Sequence, residues 1–497
     1  MKQFTSQVLG AVALVHDASA QLYNQVIQTN YGLVQGIPAF NSTPNGNLSN
    51  WKDITVWKGI PYGADTSGVN RWTPKNATPW NTTFQANKMG PIFGPGQPST
   101  TGGTVSEDCL NLNIWSNGKS TNAKLPVVLW SFPAGSAADQ PLFDGAGMAD
   151  QGVVFVNYNY RISALSWLST AELSQEMYET TGSNSSGNWG QLDQFHALKW
   201  VHANIAAFSG NPDHITVMGQ SAGSAAVYHF VNSPLTKGLI VGAIAESGTR
   251  DSYNPEALTL AENYRTQSTA LQSGVEYMAS KNVSTIAEMR ALPLADVEES
   301  LFGCTFSDAF DESGAATSTN LTVAEYEAEM ASQYDASNLT STFLELYPAG
   351  DNSTHASMAF NAHWRDTSRV SVWSVKSKSP IWSYLWDHAP PGQTQGAYHE
   401  SQINYVLNNL YGTDKPWEAV DYEIALKMNG YWANFAKTGN PNNGVSYREN
   451  GSLPQWEVNS ATDKLTLELG DGFGTQPIAS DAQIEAITSY FSYQTPV

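Results

Sequence analysis

Gly219-Gln220-Ser221-Ala222-Gly223 is the segment that most restricts how this chain can fold. A G-x-S-x-G pentapeptide alone says little, because a chain this rich in Gly and Ser can carry one by chance. Its setting gives it force. The apolar run Ile215-Thr216-Val217-Met218 precedes it, and the helix-forming stretch Ser224 to Phe230 follows. A strand that turns into a helix over so few residues must hold its central residue in a strained backbone conformation. The positions two residues away must then be small, or strand and helix could not approach each other. Such a turn lifts the Ser221 hydroxyl off the end of a sheet and aims the Ala222 N–H at a developing oxyanion. The bland alternative is a glycine-rich turn with a passive serine.

The rest of the chain supplies the sheet. Val127 to Trp130, Val153 to Asn157, Ile215 to Met218, Leu239 to Ala245 and Ile381 to Trp386 are short, nearly continuous apolar runs, as expected for strands covered on both faces. Within Asp193 to Phe208, the residues Phe195, Leu198, Val201, Ile205 and Phe208 recur at three- and four-residue steps, which is one face of a helix. Strands alternating with helices predict an α/β fold with a large, mostly parallel mixed sheet and crossover helices. The stretches Leu258 to Glu299 and Ala324 to Leu346 read as helical insertions roofing the sheet and its active site. Length alone, 497 residues, would suit several domains, but no repeat or linker divides the chain, so residues 21–497 are expected to form one. Sixteen Trp and 22 Tyr are many. They fit either core packing or a wide aromatic-lined pocket.

Net charge is −21 and no Lys/Arg-rich run occurs, which removes the basic footprint expected of a nucleic-acid-binding protein. Residues 1–20 read as a signal peptide. Lys2 precedes the apolar run Val8 to Val15, and Ala18-Ser19-Ala20 has the form of a cleavage site before Gln21. That run is too short to span a bilayer, and no later stretch is long enough either. The expectation is a secreted, extracellular protein. Asn-x-Ser/Thr sequons at Asn41, Asn47, Asn76, Asn81, Asn184, Asn282, Asn320, Asn338, Asn352 and Asn450 agree with export. The two cysteines, Cys109 and Cys304, make no disulfide framework and show no metal-ligand spacing, and no cofactor or metal is implied.

A serine hydroxyl is a weak nucleophile until a base takes its proton, and histidine is the usual base near neutral pH. Of nine histidines, His16 lies in the leader. His196, His202 and His229 sit in helical patterns, as surface or packing residues would. His399 stands out, in the loop Gly396-Ala397-Tyr398-His399-Glu400 after a strand.

Several segments, in order, resemble the type-B carboxylesterase family, which includes cholinesterases, fungal lipases and many fungal secreted esterases. They are Ser106-Glu107-Asp108-Cys109-Leu110-Asn111-Leu112-Asn113, Asn159-Tyr160-Arg161, Gly187-Asn188-Trp189-Gly190-Gln191-Leu192-Asp193-Gln194 and the Ser221 pentapeptide. Glu246-Ser247-Gly248 and Gly396-Ala397-Tyr398-His399 come next, then Tyr431-Trp432-Ala433-Asn434-Phe435-Ala436-Lys437-Thr438-Gly439-Asn440-Pro441. The resemblance runs from about residue 26 to near the C-terminus and implies an α/β-hydrolase fold. It implies a Ser-Glu-His triad in which Ser221 is the nucleophile, His399 the base and Glu312, in Asp311-Glu312-Ser313, the acid that orients His399. Ser247 matches a serine that lies near the acid. The expected function is hydrolysis of small carboxylic esters through an acyl-enzyme.

The chain departs from the family in three places. The family follows the strand matching Val127 to Trp130 with a His/Tyr-Gly-Gly-Gly loop that donates two N–H groups to the oxyanion. Here Ser131-Phe132-Pro133-Ala134-Gly135-Ser136 follows. Aligned without a gap, Ala134 and Gly135 replace the donor glycines and join Ala222. Aligned on the Phe-x-x-Gly-Ser pattern, most of the glycine loop is missing. The segment Leu294 to Asp311 is shorter than the family's by several dozen residues. No cysteine stands between Gln21 and Cys109 to pair with Cys109 as the family's does, which leaves Cys109 free or bridged to Cys304. Two glycines expected after Asn159-Tyr160-Arg161 appear as Ser163 and Ser166. These departures keep a second expectation open, a catalytically impaired, cholinesterase-like binding protein on the same fold.

Overall fold

The computed structural model describes residues 21–46, 48–73, 76–93, 103–248, 251–254, 265–297, 321–374, 377–444, 453–460 and 462–496. The expected leader, Cys304 and Glu312 lie outside them, as do Asn47, Asn320 and Asn450.

Seven strands form the main sheet: β1 (Ile37–Pro38), β2 (Thr55–Pro61), β3 (Asn111–Ser116), β4 (Leu125–Ser131), β5 (Val154–Tyr158), β6 (Gly210–Gln220) and β7 (Gly242–Glu246). Their order across the sheet is β7-β6-β4-β5-β3-β2-β1. The four strands β7, β6, β4 and β5 run parallel, and β3, β2 and β1 continue the sheet antiparallel. Every residue from Val127 to Trp130 and from Val154 to Val156 is fully buried, as the continuous apolar runs require. The helix expected within Asp193 to Phe208 is α1 (Trp189–Asn204), ending in a 3₁₀ turn, Ile205–Phe208, and α2 (Ala222–Asn232) follows β6.

Two expected strands change. The run Leu239 to Ala245 is in register with β6 from Gly242 onward, after a single backbone hydrogen bond from Val241 N–H to Ile215 O. It forms the sheet edge, where Val241 is exposed and Ala243 to Ala245 are half-buried. The run Ile381 to Trp386 shrinks to β8 (Tyr384–Trp386) and leaves the main sheet. It pairs instead with β9 (Leu465–Leu469), which pairs with β10 (Thr475–Pro477).

The stretch from residue 265 onward is helical as expected, with α3 (Gln267–Ser280) packing Tyr277 and Met278 into the main core. A second apolar cluster is built by α4 (Val323–Tyr334), α5 (Thr340–Leu346), α6 (Ser353–Ser374) and the C-terminal α9 (Asp481–Ser492). Thr322 with Glu325, and Ser480 with Gln483, form capping boxes that start α4 and α9. Two further helices, α7 (Ile403–Val406) and α8 (Ala419–Thr438), belong to the main core. Part of the aromatic excess goes into packing: Trp57, Trp72, Trp115, Trp130 and Trp189 are among the largest fully buried side chains.

Cys109 is a free, buried thiol, and burial pushes its pKa far up. Ser163, where the family resemblance expects glycine, holds φ 58°, a conformation glycine reaches without strain.

Candidate active site

The parallel strands β4, β6 and β7 end side by side, with Ser131 in register with Gly219, and Gln220 in register with Glu246. In open α/β sheets, ligands bind outside such carboxyl ends. Ser221 lies one residue past β6 and is the N-cap of α2, with φ 56° and ψ −120°. A β-carbon on Gly219 would fall 2.4 Å from the Gly223 oxygen, and one on Gly223 would fall 2.0 Å from the Ser131 oxygen. Both pentapeptide glycines are therefore demanded sterically. The Ser221 N–H donates to the Glu246 carbonyl at 2.9 Å, which ties the turn to the neighbouring strand.

His399 follows β8 in a tight turn, where Ser401 N–H donates to Tyr398 O and Ile403 N–H donates to Glu400 O, each at 3.0 Å. Glu400 takes φ 72° in that turn. The turn brings the imidazole to the pentapeptide: the Gln220 side-chain nitrogen lies 3.2 Å from His399 Nδ1 and 3.1 Å from Nε2. A nitrogen equidistant from both in the ring plane would collide with the carbon between them, so the amide lies over the ring face. Ser221 and His399, 178 positions apart in the chain, are thus brought into one neighbourhood through Gln220.

Ala222 is the first residue of α2. Ala134 is exposed and Gly135 takes φ 75°, in the turn that leaves β4 beside the Ser221 turn. Tyr160 secures the start of that turn by donating to the Phe132 carbonyl at 2.8 Å and stacking on the Phe132 ring at 4.4 Å. Ser247 is exposed with φ 57°, directly after β7. His196 bonds the Tyr62 carbonyl, and burial lowers the pKa of both His196 and His229, consistent with packing roles.

Sequence reasoning missed the group around Glu246. Its carboxylate is fully buried. It accepts from Trp432 Nε1 at 2.8 Å and from Gln402 Nε2 at 3.2 Å. Burial pushes its pKa up to about 7 against those two hydrogen bonds, which favour the ionised form. Glu246 and Trp432 both stand in recognised motifs, but nothing local in the sequence pairs them. Among the described residues no group of three or more His, Cys, Asp and Glu side chains could hold a metal ion, and no helix is long and apolar enough to cross a membrane.

A strained serine between a parallel strand and a helix, with a histidine from a later loop beside it, defines the α/β-hydrolase class. Comparison with known proteins carries this further. The carboxylesterase family model matches residues 23–310 and 305–484. The chain belongs to the carboxylesterase family and is a carboxylic-ester hydrolase. The two matched pieces meet at residues 305–310, within the stretch that is shorter than expected of the family. The chain is 28% identical to fumonisin B1 esterase of Sphingopyxis macrogoltabida, over 94% of this chain and 91% of that protein. It is 30% identical to para-nitrobenzyl esterase of Bacillus subtilis, over 84% and 91%. A solved PNB esterase structure shares the fold with a TM-score of 0.68 at 21% identity, covering 93% of this chain and 99% of the other.

Proposed function

We propose that the protein is a secreted glycoprotein esterase acting through Ser221, His399 and Glu312. The observation that carries this reading is the Ser221 turn, with both glycines sterically fixed and the His399 ring one residue away against Gln220. Ser221 Oγ attacks the ester carbonyl as His399 takes its proton. The carbon–oxygen bond to the leaving alcohol then breaks as His399 returns that proton to it. Water, deprotonated by the same histidine, cleaves the acyl-enzyme to free acid and Ser221. Glu312 accepts from the other imidazole nitrogen and fixes the tautomer. Ala222, with Ala134 or Gly135, donates to the oxyanion, and Ser247 matches the serine that the family keeps near its acid. Seven of the ten sequon asparagines fall in the described residues, Asn41, Asn76, Asn81, Asn184, Asn282, Asn338 and Asn352, and all seven are exposed, which supports glycosylation on an export route. The names of the relatives point to small-molecule ester substrates.

The test is fluorophosphonate labelling of the purified protein beside Ser221→Ala and His399→Ala. Labelling abolished in the first variant and slowed on the order of 1,000-fold or more in the second is expected, since triad members act as a unit. Well-folded wild-type protein that takes no label favours the second reading, a binding protein on this fold. The Ala134-Gly135 turn argues for that reading, because loss of a single oxyanion donor costs on the order of 100- to 1,000-fold in rate.

A further inference from the structure

We propose that Glu246 is a positioning residue for ester hydrolysis, one that ties the nucleophile's backbone to the loop carrying the base. The proposal rests on the assignment of Ser221 and His399 made above. Glu246 makes contacts in both directions. Its backbone carbonyl accepts the Ser221 N–H at 2.9 Å, and its carboxylate accepts the Gln402 amide at 3.2 Å.

Gln402 stands three residues after His399, and the path between them is stiff. Glu400 O accepts from Ile403 N–H, and the Ser401 hydroxyl is held at 2.7 Å by the Trp386 indole. Gln402 O in turn accepts the Tyr405 and Val406 N–H groups, each at 3.0 Å, at the head of α7. Moving Gln402 therefore moves His399. The third anchor is Trp432 of α8, whose indole N–H reaches the other carboxylate oxygen. Tyr384 of β8 lies within reach of that carboxylate's charge: burial first, and the Glu246 carboxylate second, push its pKa well up. On the neighbouring strand, in register with Glu246, Gln220 lies over the His399 ring. One residue of β7 thus gathers three segments: its backbone carbonyl holds the Ser221 turn after β6, and its carboxylate holds the His399 loop and α8. A purely structural site needs no acceptor here, because an apolar side chain facing apolar partners would fill the space without the burden of a buried acid.

The test uses full-length protein, hydrolysis of p-nitrophenyl butyrate and fluorophosphonate labelling, with Ser221→Ala as reference. Gln402→Met keeps length and removes the amide. Glu246→Leu removes both acceptors. Glu246→Gln still accepts from Trp432, and can pair with Gln402 once that amide turns over. A misplacement of about 1 Å at a reacting group is worth on the order of 100-fold, so kcat of Gln402→Met is expected to fall by about 10-fold or more, with KM within about twofold and labelling slowed in step. Glu246→Gln should recover most of the rate lost in Glu246→Leu. If Glu246→Leu does not fold, Gln402→Met with an unchanged melting temperature carries the same test. Folded Gln402→Met protein that turns over and labels at the wild-type rate, while Ser221→Ala does neither, overturns the positioning role and leaves the triad standing. Hydrolysis that survives Ser221→Ala overturns the catalytic reading, and the positioning role falls with it.

Discussion

A methyl group at position 223 has no room: its carbon would sit 2.0 Å from the Ser131 oxygen and 3.0 Å from that of Phe132, both backbone atoms. Gly223→Ala must push α2 away from β4 or twist the Ser221 turn, and the hydroxyl moves with it. With Ser221 as the proposed nucleophile, a shift of about 1 Å at its hydroxyl is expected to lower kcat/KM on the order of 100-fold. Steady-state kinetics on p-nitrophenyl butyrate check this, and a wild-type rate in folded Gly223→Ala would mean that strand and helix do not approach as described. The same steric demand is why this part of the site was legible in the sequence. The constraint acts within five residues, so the strand, the glycines and the helix appear together. The sequence singled out His399 by its place in a loop after a strand and by its Gly-Ala-x-His setting. The Glu246, Gln402 and Trp432 group was not legible, because its members lie in three separate segments that only the folded chain joins.

The sequence showed Asn159-Tyr160-Arg161 and the motif ending in Asp193-Gln194 as separate features, but they are two ends of one contact between elements. Arg161, after β5, donates to Asp193 of α1 from Nε at 2.7 Å and from a terminal nitrogen at 2.6 Å, and its backbone N–H reaches the same carboxylate at 3.1 Å. Both side chains are almost wholly excluded from solvent. Removing one partner leaves a buried, uncompensated charge, so Asp193→Ala should destabilise the fold by about 3–5 kcal/mol. Urea denaturation with an unchanged slope measures it, and a loss under about 1 kcal/mol would mean that water or another group takes over the arginine. Elements were readable where burial is complete on both faces, as in β4 and β5. Reading failed at the margins. The edge strand β7 covers only the end of its apolar run: its register with β6 begins at Gly242, after the exposed Val241. The run ending in β8 carries the right composition for the main sheet, yet its partner is β9, a choice no local pattern encodes.

Two buried groups in different cores give the whole molecule opposing pH responses. Glu246, at the end of the main sheet, has its pKa raised from 4.5 to about 7. The folded state holds its proton more tightly than the unfolded chain does. The stability this contributes is complete below pH 4.5 and is lost as pH rises through 7. His363 of α6 sits in the second apolar cluster, where the rings of Tyr334, Phe343 and Tyr347 meet its imidazole edge-on at 5.3–5.5 Å. Its Nε2 pairs with the Tyr334 hydroxyl. Burial lowers its pKa from 6.5 to about 3, so the unfolded chain binds the additional proton between those values. Stability therefore climbs with pH through that window and drains away as pH falls below 6.5. Glutamine at 363 takes up no proton on unfolding. His363→Gln should be less stable than the wild type at pH 7, through lost packing against the three rings. The difference in melting temperature should narrow steadily toward pH 4, as the wild type alone loses the contribution of its neutral imidazole. Melting curves of both proteins across that range decide the matter. Parallel curves would show that the imidazole is not held neutral, whereas convergence would place the acid weak point of the molecule in its helical cluster rather than at the Ser221 end of the sheet.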